Sequence, residues 1–219
     1  MPVTRVSRFG IVNAYLVEED DGLTVVDTML PRSAKPILAA AAGRPIRRIA
    51  LTHAHGDHVG SLDALVAELP GVEVLISARD ARLLAKDKTL GPEEPGKLRG
   101  SYPGTKTRPT REVAAGERIG SLEVVDSPGH TPGHLAFFDT RDGTLYCGDV
   151  FSTLGGVATS AKTNPRFPLP GLATWHRPTV LESAKALRAL EPTRLAPGHG
   201  KVVDSPAREM DAAIARGAG

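Results

Sequence analysis

The sequence is short of cysteine, of net charge and of long apolar runs, and each shortage excludes a class of protein. Cys147 is the single cysteine, so no disulfide can form within the chain. The formal net charge is only +2, and the basic residues form no stripe interleaved with aromatic residues. Nothing in this pattern favours nucleic acid as a partner.

No uncharged apolar stretch is long enough to cross a bilayer, and Met1–Arg8 has no apolar core of signal-peptide length. We therefore expect a cytoplasmic protein without a membrane partner. The length of 219 residues is enough for one large core and gives no reason for two. We expect a single domain over residues 1–219.

Hydrophobic periodicity predicts alternating strands and helices in the first half. Ser33 and Ser77 are expected to cap helices, and Ser77 with Asp80 three residues later resembles a capping box. The predicted order β-β-α-β-α-β-α comprises strands over 13–17, 23–27, 48–51 and 72–76, and helices over 33–42, 62–69 and 77–86.

The pattern of the second half predicts a similar succession of strands and helices. Ser205 is expected to cap a closing helix, with Pro206 as its first residue. The predicted segments are a hairpin over 119–125, strands over 135–138, 144–147 and 194–196, and a helix over 180–191. Two segments, 87–112 and 152–179, show no periodicity. Such long irregular segments are either functional lids or surface insertions, and both interpretations stay open.

One stretch concentrates the chemistry of a metal ligand. Three histidines and one aspartate fall within the six residues from His53 to His58, directly after a predicted strand. Imidazole nitrogens and carboxylate oxygens are the usual ligands of zinc and other first-row metals. Because alternate residues of an extended turn point the same way, His53 and His55 can bind one ion, while Asp57 and His58 project to the other side.

Three later turns carry further candidates, His130, Asp149 and His199, and each follows a predicted strand. If these strands run with the same polarity, the turns meet at one edge of the sheets. The motifs His53-x-His55-x-Asp57-His58, His130, Asp149 and His199, in this order, resemble the metal motifs of the metallo-β-lactamase superfamily.

This resemblance implies an α/β fold, a four-layered αββα sandwich with two sheets face to face and helices outside. It implies one ion held by His53, His55 and His130, a second held by Asp57, His58 and His199, and Asp149 as the bridge between them. The implied cofactors are two divalent metal ions, with zinc as the first choice and iron or manganese as alternatives.

The function implied is that of a metal-dependent hydrolase. A metal-bridging hydroxide would attack an ester-like carbonyl, and Asp57 would act as a catalytic residue that holds or relays a proton. Ser127–His134 and Gly148-Asp149 look most like the glyoxalase II and lactonase side of the family. The expected partner is a small-molecule lactone, thioester or related ester, and a homodimer is left open.

Two alternatives remain at this point: an oxidoreductase with a single iron, similar to persulfide dioxygenases, and a non-catalytic binding scaffold. Lactonases of the family place a tyrosine shortly after the bridging aspartate, where this chain has none. Tyr102 could replace it only if its loop folds over the site.

For other polar residues we expect roles outside the ligand set. His134 is expected to be structural, Asp27 to orient the metal turn through hydrogen bonds, and Cys147 to be an inert buried thiol. His176 is expected at the surface or at a pocket edge. Surface charge is the favoured interpretation, and contact with an anionic substrate the alternative, for four basic loop residues: Lys106, Arg108, Lys162 and Arg166.

Overall fold

The structure, a computed structural model, describes residues 3–219. Met1 and Pro2, which begin the segment that lacks a signal-peptide core, lie outside the described residues. The strands in chain order are β1 (Thr4–Arg8), β2 (Val12–Glu19), β3 (Gly22–Val26), β4 (Ile46–Ala50), β5 (Glu73–Ile76), β6 (Arg111–Glu112), β7 (Arg118–Ile119), β8 (Leu122–Asp126), β9 (Leu135–Asp139), β10 (Thr144–Gly148), β11 (Phe151–Ser152), β12 (Ala158–Thr159), β13 (Arg194–Pro197) and β14 (Val203–Asp204).

The helices are fewer than the strands, and most of them connect one strand to the next. They are α1 (Ala34–Ala41), α2 (Gly56–Val59), α3 (Leu62–Glu68), α4 (Ala78–Leu84), α5 (Leu169–Ala173), α6 (Arg177–Ala189) and α7 (Ala207–Ala218). None of these helices within residues 3–219 is both long enough and apolar enough to span a membrane.

The strands form two main sheets of six. The first sheet has the order β1-β2-β3-β4-β5-β6, antiparallel from β1 to β3 and parallel from β3 to β6. The second has the order β14-β13-β10-β9-β8-β7, in which β10 and β13 are parallel and the other pairs antiparallel. Strands β11 and β12 form a separate small hairpin.

Central strands are apolar on both faces because both faces are covered. In β4, Ile49 packs on the helix side of the first sheet, and its neighbour Ala50 packs between the sheets. In β5, Val74 and Leu75 divide in the same way. Successive side chains of a strand point to opposite faces, so a single apolar run serves two cores.

Three buried clusters define the layers of the molecule. One lies between the first sheet and α1 to α4, the second contains residues of both sheets, and the third lies between the second sheet and α6 and α7. The order of layers is therefore helix, sheet, sheet, helix. The predicted α/β fold, a four-layered αββα sandwich, is confirmed.

Local corrections concern termini and loops. Strand β1 was not predicted from the sequence. The segment 152–179, predicted to be irregular, contains β12, α5 and the start of α6. Ser33 and Ser205 do not cap their helices through their side chains. Ser33 instead donates its backbone N–H to Ser61 Oγ at 2.7 Å, because the preceding turn packs against the start of α3.

Candidate metal centre

The four turns that carry the predicted ligands converge at one edge of the sandwich. They follow β4, β8, β10 and β13, and the last three of these strands run in the same direction. The structure thereby brings together all seven predicted residues: His53, His55, Asp57, His58, His130, Asp149 and His199. Six of them are at most 3% exposed, while the side chain of Asp57 is 37% exposed. Asp57 is thus the member that solvent reaches.

The seven side chains form three overlapping groups. In each group, one nitrogen or oxygen from every residue lies within 4.8 Å of the others. The groups are His53 with His55 and His130, His53 with His58 and Asp149, and Asp57 with His58 and His199. The first and third match the two ligand sets implied by the family motifs.

Hydrogen bonds outside the cluster decide which nitrogen of each ring faces inward. The hydroxyl of Thr52 donates to Asp27, so its oxygen accepts from Nδ1 of His53 at 2.9 Å. The hydroxyl of Thr174 donates to Pro170 O, so its oxygen accepts from Nδ1 of His130 at 3.0 Å. Both histidines therefore keep an unprotonated Nε2 for the centre of the cluster.

The same orientation holds for His58 and His199. Nδ1 of His58 donates to Asp27 Oδ2 at 2.8 Å, and Nδ1 of His199 donates to Ile11 O at 3.3 Å. Without a cation, Nε2 of His199 donates to Asp149 Oδ2 at 3.1 Å, and loss of that proton leaves a lone pair on Nε2 for a metal. These outer partners fix both the ring plane and the tautomer, as they do for histidine ligands in metal sites.

His55 has the opposite orientation because the long loop after α4 covers it. Its Nε2 donates to Arg99 O at 3.0 Å, which leaves Nδ1 facing Nε2 of His130 at 3.0 Å. Tyr102, on the same loop, packs its ring 4.7 Å from the ring of His55 and is only 7% exposed. The loop therefore folds over the His55 side of the cluster, where Tyr102 belongs to the apolar core.

Asp149 lies between the two predicted ligand sets. Its Oδ1 is 3.3 Å from His58 Nε2, and its Oδ2 is 3.4 Å from His130 Nε2 and 3.1 Å from His199 Nε2. The approach of β13 leaves no room for a side chain at Gly198, where a Cβ would lie 2.4 Å from Asp149 Oδ1. The carboxylate of Asp149 therefore faces histidines of both sets.

The expected role of Asp27 is confirmed. Its Oδ1 accepts from Thr52 N at 2.8 Å and its Oδ2 accepts from Nδ1 of His58 at 2.8 Å. The residue adopts a positive φ of 61°, which aspartate tolerates better than most residues. Asp27 therefore orients the turn that carries the histidines.

His134 has the structural role that was expected. Its Nε2 accepts from Asp149 N at 3.1 Å, so its Nδ1 donates to Ser127 Oγ at 2.8 Å. Both ring nitrogens are occupied, and none is left for a metal. Burial lowers the pKa of His134 to about 3, which keeps the ring neutral and able to accept.

Electrostatics divides the buried histidines into two kinds. Burial lowers the pKa of His53 and His130 well below the usual value, so both stay neutral. Burial also lowers the pKa of His58, but the carboxylates of Asp149 and Asp27 outweigh it and raise that pKa well above the usual value. The positive charge of a cation would be favoured by the same carboxylates.

The residues present fit divalent cations. Three buried atoms that can ligate a metal, His53 Nε2, His58 Nε2 and Asp149 Oδ1, make no hydrogen bond within the described chain, although the last two lie 3.3 Å apart. The two unprotonated nitrogens of His55 and His130 face each other at 3.0 Å, a repulsive arrangement unless a cation lies between them. Two ligands of a tetrahedral zinc ion are roughly 3.3 Å apart.

Asp80 is a buried polar residue whose role differs from the capping box that the sequence predicted. Ser77 Oγ does accept from Asp80 N at 3.1 Å, but the carboxylate does not complete a capping box. It instead accepts from Ala54 N at 2.9 Å and from Thr131 Oγ1 at 2.8 Å. Burial raises the pKa of Asp80 to about 6, although these hydrogen bonds oppose the shift. The only sequence signal was its place just after β5, at a strand-to-helix turn.

The other candidates lie outside the cluster. His176 directly precedes α6, and its Nδ1 bonds with Thr179 Oγ1 at 2.7 Å. Cys147 is fully buried, and burial raises the pKa of its thiol. Lys106 and Arg108 are exposed. Lys162 and Arg166 are also exposed and line a cavity of about 570 Å³ that none of the seven residues lines.

Comparison with known proteins agrees with this geometry. The model of the metallo-beta-lactamase superfamily matches residues 7–199. A solved structure of TTHA1623 in a di-iron-bound form superposes with a TM-score of 0.68 at 25% identity, covering 95% of this chain and 96% of that chain. The BLEG-1 B3 metallo-beta-lactamase also gives 0.68 at 25% identity, with 91% of each chain covered.

Curated relatives extend the comparison. An uncharacterized protein of Bacillus subtilis (strain 168), YobT, is 46% identical over 93% of this chain and 89% of its own length. A hydroxyacylglutathione hydrolase of Stenotrophomonas maltophilia (strain R551-3) is 31% identical over 71% of this chain and 52% of its own length. With the family model spanning every turn of the site, this chain belongs to the metallo-β-lactamase superfamily.

Proposed function

We propose that this protein is a hydrolase that uses two divalent cations, zinc being the first choice, to cleave an ester-like carbonyl of a small molecule. The observation that carries the proposal is the convergence of three buried atoms that can ligate a metal and that make no hydrogen bond among the described residues: His53 Nε2, His58 Nε2 and Asp149 Oδ1. Buried polar atoms without partners are costly, and a bound cation would remove that cost.

In this proposal His53, His55 and His130 hold one ion, Asp57, His58 and His199 hold the other, and Asp149 lies between them. The proposal is supported by the proximity within each set, where one nitrogen or oxygen from every residue lies within 4.8 Å of the others. A complete second set favours the two-ion hydrolase over an oxidoreductase with a single iron. It also favours an enzyme over a binding scaffold, since a scaffold has no need of seven converging ligands.

The chemistry that two such cations supply when bound is a water whose pKa is lowered toward neutrality and a polarised substrate carbonyl. In the same proposal Asp57 holds or relays the proton of that water. Its carboxylate is the one member of the cluster open to solvent, and its Oδ2 lies 3.4 Å from Nε2 of His199. A carboxylate at the mouth of the site can hold a proton and pass it to the leaving group.

Exposed apolar side chains support a substrate with an apolar part. Within residues 3–219, the exposed large hydrophobic residues are Phe9, Ile11, Leu169 and Leu172. Phe9 and Ile11 lie on one segment, in which Ile11 O accepts from His199. Leu169 and Leu172 lie on α5, and Thr174, which directly follows α5, accepts from His130. The hydroxyacylglutathione hydrolase relatives support a thioester among the candidate substrates.

Elemental mass spectrometry of protein purified without added metal tests the metal assignment first. About two zinc equivalents per chain support the hydrolase, and the protein is then assayed with lactones and thioesters that carry short or long acyl groups, with a β-lactam as comparison. About one iron per chain would instead support the oxidoreductase with a single iron. An Asp57→Asn variant that keeps both ions and full turnover would remove the proton role of Asp57.

A further inference from the structure

Asp80 joins two of the turns that carry histidines, although it is far from both in sequence. It lies in the first turn of α4 and has no exposed surface. Its Oδ2 accepts from Ala54 N at 2.9 Å and from Thr131 Oγ1 at 2.8 Å, and its Oδ1 accepts from Gly133 N at 2.9 Å. Ala54 lies between His53 and His55, and Thr131 directly follows His130.

The turn after His130 packs against α4 without any gap. A Cβ on Gly133 would lie 2.4 Å from Ser77 Oγ and 2.7 Å from Asp80 Oδ1, so no side chain fits there. The cap of α4 itself uses Ser77 Oγ, which accepts from Asp80 N at 3.1 Å. The carboxylate of Asp80 is therefore not needed by its own helix and serves the two turns.

The three donors require a carboxylate in particular. Both oxygens of a carboxylate accept hydrogen bonds, whereas an amide offers only one accepting end and places an NH₂ group at the other. Either orientation of an asparagine would set that NH₂ group against a backbone N–H of Ala54 or Gly133. The nearest cation, Arg79, directs its guanidinium to Glu94, at 2.5 and 2.7 Å. Asp80 is thus held by the turns and not by an ion pair.

We propose that Asp80 is a positioning residue for the ion held by His53, His55 and His130, an inference that rests on the proposed function. Its carboxylate ties the backbone between His53 and His55 to the turn after His130. This connection maintains the separation between the ligand nitrogens, such as the 3.0 Å between His55 Nδ1 and His130 Nε2. Asp80 contacts none of the rings and acts only through the backbone and Thr131.

The test measures zinc affinity directly on the full chain, by titration against a chromophoric chelator. His130→Ala and His199→Ala first identify which binding step belongs to which ion. Asp80→Asn is expected to weaken the step that His130→Ala abolishes by about 10- to 100-fold, the range for outer partners of metal ligands. The step that His199→Ala abolishes should stay within about threefold of wild type, because Asp80 contacts none of its ligands.

Thr131 supplies a matched pair of variants that leaves the carboxylate in place. Thr131→Val removes the hydroxyl donor and should weaken the same binding step, whereas Thr131→Ser keeps the donor and should keep the affinity. If Asp80→Asn does not fold, this pair decides, and equal affinities of the two variants overturn the proposal.

Thermal unfolding of the metal-free variants separates positioning from plain stabilisation. A lower unfolding temperature of metal-free Asp80→Asn with both zinc affinities unchanged would mean that Asp80 only supports the fold, and the proposal fails. Wild-type protein that binds two ions and cleaves no ester defeats the proposed function but not the role of Asp80. Wild-type protein that binds no zinc defeats both.

Discussion

The two halves of the molecule contribute to the metal centre in opposite ways. The first half supplies four of the seven residues from one turn, His53 to His58, supported by the buried carboxylate of Asp27. The second half supplies three residues from three turns. The groups outside the cluster that bond directly to these residues are neutral, namely Thr174 for His130, Ile11 O for His199, and His134 for the backbone of Asp149, while the carboxylate of Asp80 reaches only the turn after His130.

This difference shows where the geometry of each half is decided. In the first half, local chain direction sets the relative positions of the ligands, and a charged group holds the turn in place. In the second half, the register of β10 and β13 sets the positions of Asp149 and His199, since Gly148 lies opposite Pro197 across the parallel pair. Substitutions in the two halves should therefore act on different quantities.

Asp149→Ala should have the largest effect, because Asp149 is the point at which the halves meet. Its two oxygens lie 3.1 to 3.4 Å from histidines of both sets. We expect turnover to fall by more than about 100-fold, beyond the range for loss of an outer partner. Steady-state kinetics and elemental analysis measure this. Retention of both ions with full turnover would contradict a bridging role.

Asp27→Asn should come next, and it tests the charged support of the first half. The amide loses at least one of the hydrogen bonds to Thr52 and His58 and leaves a buried donor unsatisfied. We expect the metal-free protein to lose about 2–3 kcal/mol of unfolding free energy, measured by urea denaturation. The ion held by His58 should bind about 10-fold to 100-fold more weakly.

Asp63→Asn is the matched control for that variant. Asp63 also accepts two backbone N–H groups, those of Thr107 and Lys106, but contacts none of the seven residues. It should lower stability without changing zinc affinity. If Asp63→Asn weakens zinc as much as Asp27→Asn does, the support by Asp27 is not specific to the centre.

Gly198→Ala tests the register-dependent half and should have a smaller effect. The new Cβ would lie 2.4 Å from Asp149 Oδ1 and 2.5 Å from His58 Cε1, so either the backbone at residue 198 or these two buried side chains must shift. Overpacking of this kind costs about 1–3 kcal/mol of stability, seen by thermal unfolding. Gly91→Ala is the control, because its Cβ would meet nothing closer than 3.6 Å. Identical unfolding temperatures for both variants would argue against the close approach.

Glu94→Gln should have the smallest effect. Glu94 forms an ion pair with Arg79 at the start of the loop over His55, and both side chains are mostly shielded from solvent. We expect a loss of about 1 kcal/mol in urea denaturation and faster proteolysis within residues 87–110. Zinc affinity should change less than threefold, because the loop contacts His55 through Arg99 O. A large loss of zinc would instead place the ion pair in the support of the centre.

Several features of the site were predictable from sequence because each depends on local chemistry. The donors of the turn from His53 to His58 are adjacent in the chain, and His130, Asp149 and His199 follow apolar runs that end as strands. The family motifs supplied the pairing of these residues into two sets. The helix-capping expectations for Ser33 and Ser205 were wrong, because their side chains make no capping bond in the packed structure.

What the sequence by itself determined is the ligand chemistry and the succession of strands and helices, since both follow from residue types and periodicity along the chain, while the αββα layering was implied by the family resemblance. Only the tertiary structure decided which ring nitrogen each histidine presents, because the proton on the other nitrogen is held by partners such as Arg99 O and Thr174. It likewise decided the use of Asp80, whose carboxylate meets donors 26 and 51 residues away. Hydrogen bonds over such separations depend on how sheets and loops pack, which no local pattern records.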